Sequence, residues 1–282
     1  MKAYAKINLS LDITGKRADG YHELCSVMQQ ISLADEVYLS PGQQGITMTC
    51  DQPSVPVDAR NIIIKAAKAF FRYVGMSEKD IHFTLVKKVP SGAGLGGGSS
   101  DGVAAVRLLD EHFETSLSDR EMASLVAPIG ADMPFFVYGH TALCEGIGER
   151  VTPLAAPGRY ACVLLKPAQS LSTPEMYAAF DRETKQARRD TPKVLSALRT
   201  DAVTPLAAAL GNALEPIGQK QCPYLSVLKE KLLSVGAAGA CMSGSGSTVY
   251  GLFADEKTAA AAAERLEKEH LPQTAIYVCK FI

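Results

Sequence analysis

Residues 89–101 read VPSGAGLGGGSSD, and five of these thirteen positions are glycine. The segment before them, IHFTLVKKVP from Ile81, alternates apolar and polar residues and predicts a strand. The segment after them, VAAVRLLDEHF from Val103, has the spacing of a helix. A glycine loop that enters a helix presents free backbone N–H groups and the positive end of the helix dipole. The order therefore predicts an anion site, with phosphate as the expected ligand.

Two familiar phosphate loops fit this stretch badly. Gly92, Gly94 and Gly97 satisfy G-x-G-x-x-G, but a dinucleotide fold needs a second strand ending in an acidic residue about twenty positions on. In this chain Ser118 and Asp119 stand there and begin a predicted helix, which the capping-box pattern SDRE opens. A Walker loop is excluded because no lysine follows the last glycine.

The residues that end the loop leave a choice open. The hydroxyl of Ser99 or Ser100 can cap the helix, or it can contact a phosphate or a magnesium ion. Asp101 suits the start of a helix, but its charge repels phosphate unless the side chain turns aside.

The composition limits the classes of protein that remain. The chain has 282 residues, of which 47% are hydrophobic and 21% charged, and its formal net charge is −1. This balance offers no general attraction for nucleic acid or an anionic membrane. Seven scattered cysteines without a C-x-x-C pair argue against a disulfide framework and a zinc site. We expect reduced thiols, a cytoplasmic location, and neither a membrane span nor a targeting segment.

The periodicity predicts an α+β fold. The opening MKAYAKINLSLDITG alternates as a half-buried strand, with Lys6 and Asn8 on its polar face. The prolines and glycine of residues 153–158 predict a connector between an N-terminal mixed α/β domain, 1–154, and a C-terminal domain, 155–282. The order of the second half is β-α-β-β-α-β, which predicts a ferredoxin-like domain. Further strands are predicted at 24–32, 35–40, 45–50, 160–165, 239–242, 248–253 and 274–282, and further helices at 61–75, 173–182, 192–198, 225–233 and 256–270.

Four segments in this order resemble the GHMP kinase superfamily: AKINLSLDITGKRADGYHEL (5–24), PSGAGLGGGSSDG (90–102), GADMPFFVYGHTALCEGIGE (130–149) and CMSGSGSTVYGLF (241–253). The glycine loop and SGSG are typical of the whole superfamily. ADGYH and GADMPFF resemble its branch that phosphorylates a diphosphocytidyl-linked sugar alcohol in isoprenoid precursor biosynthesis. The resemblance implies a two-domain GHMP kinase fold, a nucleotide-binding N-terminal domain, ATP as phosphoryl donor and Mg²⁺.

The resemblance also implies a catalytic pair. Asp132 would accept the proton of the substrate hydroxyl or orient that hydroxyl, Lys6 would stabilise the developing negative charge, and Asn8 would bind substrate. Phosphoryl transfer depends mostly on positioning and charge stabilisation, so such a pair suits the reaction. From the residues alone, an aspartate beside glycine and proline is more often a turn former, and a lone strand lysine is usually solvated.

The remaining site residues follow from the same resemblance. The cytosine base is expected between Tyr21 and Tyr177, with His22 at its polar edge. Gly244, Ser245 and Gly246 are expected to approach the substrate or the phosphates. No carboxylate stands out as a metal ligand, so the metal ligands stay unknown. The nucleotide is expected to contact Asn61, Lys87, Gly92, Ala93, Gly94, Leu95, Gly96, Gly97, Gly98, Ser99 and Ser100.

Three alternatives stay open at this point. The chain can be another GHMP small-alcohol kinase, acting on mevalonate or homoserine. It can be a catalytically silent nucleotide-binding protein on the same fold, although the presence of both Lys6 and Asp132 argues against this. A dinucleotide oxidoreductase is the most distant alternative. The expected partners are ATP and a small cytidyl substrate, without nucleic acid or membrane, and the oligomeric state is left open.

Overall fold

Two β-sheets organise the chain in a computed structural model that describes residues 1–155, 158–183, 190–200 and 202–282. Residues 156 and 157 of the predicted connector lie outside these ranges. The first half forms β1 (Lys2–Lys16), β2 (His22–Pro41), β3 (Ile46–Cys50), α1 (Ile62–Tyr73), β4 (Ile81–Val86), α2 (Gly97–Phe113), α3 (Asp119–Val126), α4 (Met133–Tyr138), β5 (Thr141–Gly146) and β6 (Arg150–Pro153).

The second half carries most of the helices. It forms β7 (Ala161–Pro167), α5 (Thr173–Phe180), α6 (Thr191–Ala197), α7 (Val203–Ala209), β8 (Gly211–Asn212), α8 (Glu215–Gln221), α9 (Tyr224–Ser234), β9 (Gly239–Met242), β10 (Val249–Phe253), α10 (Glu256–Lys268) and β11 (Thr274–Lys280).

The N-terminal sheet has seven strands and is mixed. Its strands lie in the order β3-β4-β2-β1-β8, while β5 also pairs with β2 and carries β6. β3 runs parallel to β4, and β8 runs parallel to β1. Because β8 comes from the second half of the chain, this sheet is not built from the first half alone. The division at residues 154 and 155 therefore stays a prediction.

Strand β1 is buried on both faces over most of its length, so the prediction of a half-buried strand was wrong. Lys6 is 2% exposed and Asn8 is 1% exposed. The pairing of β1 with β2 shifts register between Tyr4 and Lys6 and again between Asn8 and Ser10. Such bulges bend a strand and redirect its side chains. The two polar residues thus lie on a short stretch between two irregularities.

The other predicted elements hold in part. The strands predicted at 24–32 and 35–40 are one continuous strand, β2, and strands β5 and β6 were not predicted. The capping box that opens α3 is confirmed, with Ser118 and Glu121 bonded reciprocally. Helix α2 begins at Gly97, earlier than the helix predicted from Val103.

The C-terminal sheet confirms the predicted ferredoxin-like topology. Its four strands lie in the order β11-β7-β10-β9, and all neighbours are antiparallel. Helices α9 and α10 cover one face through an apolar cluster that includes Leu228, Leu232 and Leu266. The sequence pattern β-α-β-β-α-β had predicted this arrangement.

The other face of the C-terminal sheet packs against the N-terminal sheet. Ile7 and Leu9 of β1 share one buried cluster with Leu164 of β7 and Leu252 of β10. The hydroxyl of Tyr250 donates to the backbone oxygen of Asn8 at 2.7 Å. The two halves of the chain therefore share a core directly behind the polar residues of β1. None of the helices in the described residues has the length and apolar character needed to cross a bilayer.

Candidate active site

A cleft of about 1130 Å³ lies between the glycine loop, the β1–β2 hairpin, α5 and the loop after β9. Ser100 is the predicted site residue that lies outside it, because its buried hydroxyl donates to the backbone oxygen of Gly97 at 2.8 Å. The cleft is lined by the other predicted residues: Lys6, Asn8, Tyr21, His22, Asn61, Lys87, Gly92, Ala93, Gly94, Leu95, Gly96, Gly97, Gly98, Ser99, Asp132, Tyr177, Gly244, Ser245 and Gly246.

The glycine loop needs glycine for its backbone and for its close contacts. Gly92, Gly94 and Gly96 have φ values of +60°, +73° and +71°, which side chains rarely adopt. A Cβ on Gly94 would lie 2.1 Å from the backbone oxygen of Ser243. The loop therefore lies directly against the loop that follows β9, and it delivers the N-terminus of α2 to the cleft.

Of the two alternatives for Ser99 and Ser100, the structure does not support capping of this helix. The N-cap residue is Gly96, which offers no side-chain bond. The N–H groups of the first helical turn have no acceptor within a helix, so an anion in the cleft can take them.

Lys6 and Asp132 meet on the floor of the cleft. The Lys6 Nζ donates to Asn8 Oδ1 at 2.7 Å and to the backbone oxygen of Gly94 at 3.0 Å. It lies 3.7 Å from Asp132 Oδ2, and the two side chains are 3% and 34% exposed. Asp132 precedes α4, and its side chain does not cap that helix. Its carboxylate is therefore available to a ligand in the cleft. The pair combines a fixed ammonium with a carboxylate open to the cleft.

Tyr21, His22 and Tyr177 all line the aromatic end of the cleft, and a base bound between Tyr21 and Tyr177 stays a prediction. The ring of Tyr177 stacks on the ring of His22, with centroids 4.8 Å apart and planes inclined by 23°. Tyr21 is 60% exposed at the mouth. His22 Nε2 lies 2.7 Å from Asp181 Oδ1, a contact that the sequence did not predict. Asp181 directly follows the last residue of helix α5, and no motif around it in the sequence marks it as a functional residue.

Lys87 and Asn61 are both held by the protein itself. The Lys87 Nζ bonds to Asp35 and lies 2.9 Å from Asp101 Oδ2. Asn61 caps α1, accepting from the N–H of Ile63 at 2.8 Å, while its amide donates to the backbone oxygen of Pro56. Both side chains line the cleft, and their contact with a nucleotide stays a prediction.

Asp101 turns aside from the glycine loop towards Lys87, which removes the expected conflict with phosphate. Burial raises the pKa of Asp101 to about 7; the nearby Asp35 carboxylate adds to the rise, while Lys87 opposes it. Asp101 Oδ1 is buried and has no hydrogen-bond partner among the described residues. One ammonium thus balances two buried carboxylates beneath the loop.

The loop after β9 is anchored by residues that the sequence did not single out. The Asn212 amide donates to the backbone oxygens of Met242 and Gly244, each at 2.8 Å. The Ser243 hydroxyl donates to the backbone oxygen of Gly94 at 2.9 Å. These bonds tie the Gly244–Gly246 stretch to the glycine loop. SGSG marked the loop itself, but Asn212 lies on the two-residue strand β8, which has no visible pattern.

Two family profiles match the chain. The profile described as the GHMP kinases N terminal domain matches residues 61–140, and the profile described as GHMP kinases C terminal matches residues 194–273. The first contains the glycine loop and Asp132, and the second contains the loop after β9. The matches therefore cover both sides of the cleft.

Curated relatives match over nearly the whole length. A 4-diphosphocytidyl-2-C-methyl-D-erythritol kinase of Clostridium botulinum, strain Eklund 17B, is 38% identical over 271 residues, which cover 96% of each chain. The kinase of that name from Clostridium novyi, strain NT, is 39% identical over 254 residues, 90% of each chain.

Solved structures agree. A crystal structure of 4-(cytidine 5′-diphospho)-2C-methyl-D-erythritol kinase superposes with a TM-score of 0.83 at 30% identity, covering 100% of this chain and 98% of that one. The homoserine kinase of Cytophaga hutchinsonii, with a TM-score of 0.74 at 18% identity, covers 100% of this chain and 98% of its own, and shares the fold alone. The chain therefore belongs to the GHMP kinases and, within them, to the 4-diphosphocytidyl-2-C-methyl-D-erythritol kinase family.

Proposed function

We propose that this protein transfers the γ-phosphoryl group of ATP to the 2-hydroxyl of 4-diphosphocytidyl-2-C-methyl-D-erythritol, giving the 2-phosphate and ADP. The observation that carries the proposal is the Lys6–Asp132 pair, 3.7 Å apart in the cleft that also holds the glycine loop and the ring of His22. The full-length relatives that bear this kinase name support the substrate. The reaction is a step of non-mevalonate isoprenoid precursor biosynthesis.

In this proposal the glycine loop cradles the phosphates. Its backbone approaches the cleft without side chains, and the N-terminus of α2 adds a positive dipole. Each favourable charge at such an end contributes roughly 0.3 to 1 kcal/mol, so several phosphate oxygens together bind firmly. The bond from Ser243 to Gly94 holds the cradle against the loop after β9.

The transfer itself rests on Lys6 and Asp132. Asp132 accepts the proton of the substrate hydroxyl or orients that hydroxyl for attack. Lys6, fixed by Asn8 and the Gly94 carbonyl, presents its charge where the transferred phosphoryl group gains negative charge. Because the ammonium is already positioned, it needs little reorganisation during the reaction.

Magnesium fits this site as a companion of the nucleotide. No group of three His, Cys, Asp or Glu side chains converges on one point within the described ranges. Asp101 is tied to Lys87, which leaves Asp132 as the catalytic-centre carboxylate open to the cleft. Mg²⁺ in nucleotide sites is usually held by one or two carboxylates together with phosphate oxygens and water. When bound, the ion would neutralise charge on the phosphates.

The proposed partners and location follow from the reaction. The two small molecules are ATP and the cytidyl substrate. The cysteines of the described residues form no disulfide, which supports a reducing compartment such as the cytoplasm.

The direct test is ADP release from ATP, magnesium and the cytidyl substrate. We expect turnover by the protein and a loss of about 10²- to 10⁴-fold in kcat for Asp132→Asn. Asp119→Asn is the matched control, because this exposed carboxylate on α3 lies outside the cleft. Absence of ADP with the unmodified protein, or an unimpaired Asp132→Asn variant, would overturn the proposal. Turnover of mevalonate or homoserine in place of the cytidyl substrate would support the rival kinases.

A further inference from the structure

The imidazole of His22 is held by an acid that no motif contains. Its Nε2 lies 2.7 Å from Asp181 Oδ1, and the second oxygen of the same carboxylate accepts from Lys16 Nζ at 2.6 Å. The His22 side chain is only 8% exposed. Its other ring nitrogen, Nδ1, has no hydrogen-bond partner in the part of the chain that the structure describes. Nε2 is therefore paired with Asp181, and Nδ1 is available to bond to a ligand.

The partner of Nε2 decides which nitrogen carries the proton. An ionised carboxylate can only accept hydrogen bonds, so Nε2 must donate. The hydrogen bonds from Lys16 and then His22 lower the pKa of Asp181, which keeps this carboxylate ionised at neutral pH. In the neutral imidazole, a hydrogen on Nε2 leaves a lone pair on Nδ1. Nδ1 is then an acceptor.

The surrounding rings restrict what can reach Nδ1. Tyr177 covers one face of the imidazole, and Phe180 meets it edge-on, with centroids 6.2 Å apart and planes at 89°. A flat ligand that bonds in the plane of the His22 ring lies nearly parallel to Tyr177 and can extend the stack. This arrangement suits the polar edge of a nucleobase.

We propose that Asp181 is a positioning residue that makes the cleft select cytosine over uracil. By holding the hydrogen of His22 on Nε2, Asp181 leaves Nδ1 as an acceptor for the 4-amino group of cytosine. Uracil carries an oxygen at that position, so two acceptors would face each other and the base would bind poorly. This inference rests on the proposed function, because it assigns the base specificity of the same substrate site.

The first test compares the cytidyl substrate with its uridyl counterpart by calorimetry in the absence of ATP. The unmodified protein should bind the cytidyl compound about tenfold more tightly or better, since a mismatched buried acceptor loses a hydrogen bond. Asp181→Ala should lose most of that preference, and Asp181→Glu should restore part of it. Lys16→Met is the matched control, because it removes the other partner of Asp181 and leaves the bond to His22. An Asp181→Ala protein that weakens both compounds equally would overturn the proposal.

A second test gives its decisive result on the unmodified protein, where folding is not disturbed. Nitrogen-15 NMR of histidine-labelled protein in alkaline buffer reports which ring nitrogen of His22 carries hydrogen. We expect hydrogen on Nε2 in the unmodified protein and a mixture in Asp181→Ala. Hydrogen on Nδ1 in the unmodified protein would overturn the proposal. ADP release is recorded separately, so a protein that prefers cytidyl binding but makes no ADP would refute the proposed function and leave this inference standing.

Discussion

Lys6 places a positive charge beside Asp132 in a position almost closed to solvent. Lys6→Met keeps the length of the side chain and removes the charge. We expect kcat to fall about 10²-fold or more, because the charge acts on the transition state, while the affinity for ATP changes little. Steady-state kinetics and calorimetric ATP titration check this.

The control for Lys6→Met is Lys88→Met. Lys88 is an exposed lysine paired with Glu36, and it does not line the cleft. Its substitution should leave kcat unchanged. If Lys6→Met instead weakened ATP binding and left kcat intact, Lys6 would be a ground-state binding residue rather than a charge stabiliser.

Asp101 should make the stability of the protein depend on pH. Its pKa is raised from 3.8 to about 7, first by burial, so the folded state holds this proton more tightly than the unfolded state. The contribution of Asp101 to stability therefore falls as pH rises from about 4 to about 7. Asp101→Asn should gain stability relative to the unmodified protein on going from about pH 5 to about pH 8, as measured by urea unfolding.

One variant is the control for the Asp101 prediction, and a second tests the neighbouring contact between Lys87 and Asp35. Asp119→Asn, at an exposed position, should differ from the unmodified protein equally at both pH values. Asp35→Ala should cost about 3 kcal/mol or more, because it removes a buried partner of Lys87 and of two backbone N–H groups. A difference between Asp101→Asn and the unmodified protein that does not change with pH would contradict the assignment.

The functional residues that the sequence predicted are those in contiguous motifs. Lys6 alternates with apolar neighbours and Asp132 stands between glycine and proline, so a resemblance could place both. Asp181 contacts His22 across 159 positions, and Lys87 contacts Asp35 across 52. No local pattern encodes such pairings, since they exist only after the sheets assemble. The burial of Lys6 was missed for the same reason, because its neighbours Gly94, Asp132 and Gly244 lie far from it along the chain.

At the scale of elements, the glycine loop and the loop after β9 behave as one unit. Gly94→Ala should disrupt both, because the new Cβ would lie 2.1 Å from the Ser243 oxygen on backbone with φ of +73°. We expect a loss of about 2 kcal/mol or more in the free energy of unfolding. ATP affinity should fall as well, since the displaced loop no longer presents its N–H groups. Urea unfolding and ATP titration measure the two effects.

Gly98→Ala is the matched control for the stability effect. Its Cβ would meet the nearest atom, Ile62 Cδ1, at 3.5 Å, which is an ordinary contact. In the first turn of α2, alanine should leave stability unchanged or raise it by about 0.5 to 1 kcal/mol. Equal losses of unfolding free energy in Gly94→Ala and Gly98→Ala would show that the contact between Gly94 and Ser243 does not determine the stability effect.

Elements with a strong local period were predictable, and those made by tertiary pairing were not. The order strand, loop, helix around residues 89–101 is present, but α2 starts at Gly97 and includes Gly102, which lies against Ile62 and Met133 where a larger residue would clash. Glycine lowers intrinsic helix propensity, so periodicity alone placed the start too late. Strands β5 and β6 form by pairing with β2 and with each other. Their short segments carry no alternation long enough to predict.

At the scale of the whole molecule, the β-α-β-β-α-β order was enough to predict the C-terminal sheet. Apart from the extra helices and β8 between β7 and β9, the chain order matches this known unit, and the order determines the topology. The joining of the two halves was not predictable in the same way. It depends on the two-residue strand β8 and on an apolar cluster drawn from β1, β7 and β10. The active site lies at this junction, and its geometry therefore depends on both halves.

The shared core predicts that the two halves unfold together. Thermal unfolding should be a single transition, and peptides from β1 and β11 should gain deuterium together as the protein unfolds. ATP at about 100 times its dissociation constant should stabilise both halves of the chain against unfolding by about 2.7 kcal/mol. Tyr250→Phe removes the bond to the Asn8 carbonyl and should cost about 1 kcal/mol without splitting the transition. Two separate transitions, with only the first half responding to ATP, would show that the shared core does not couple the halves.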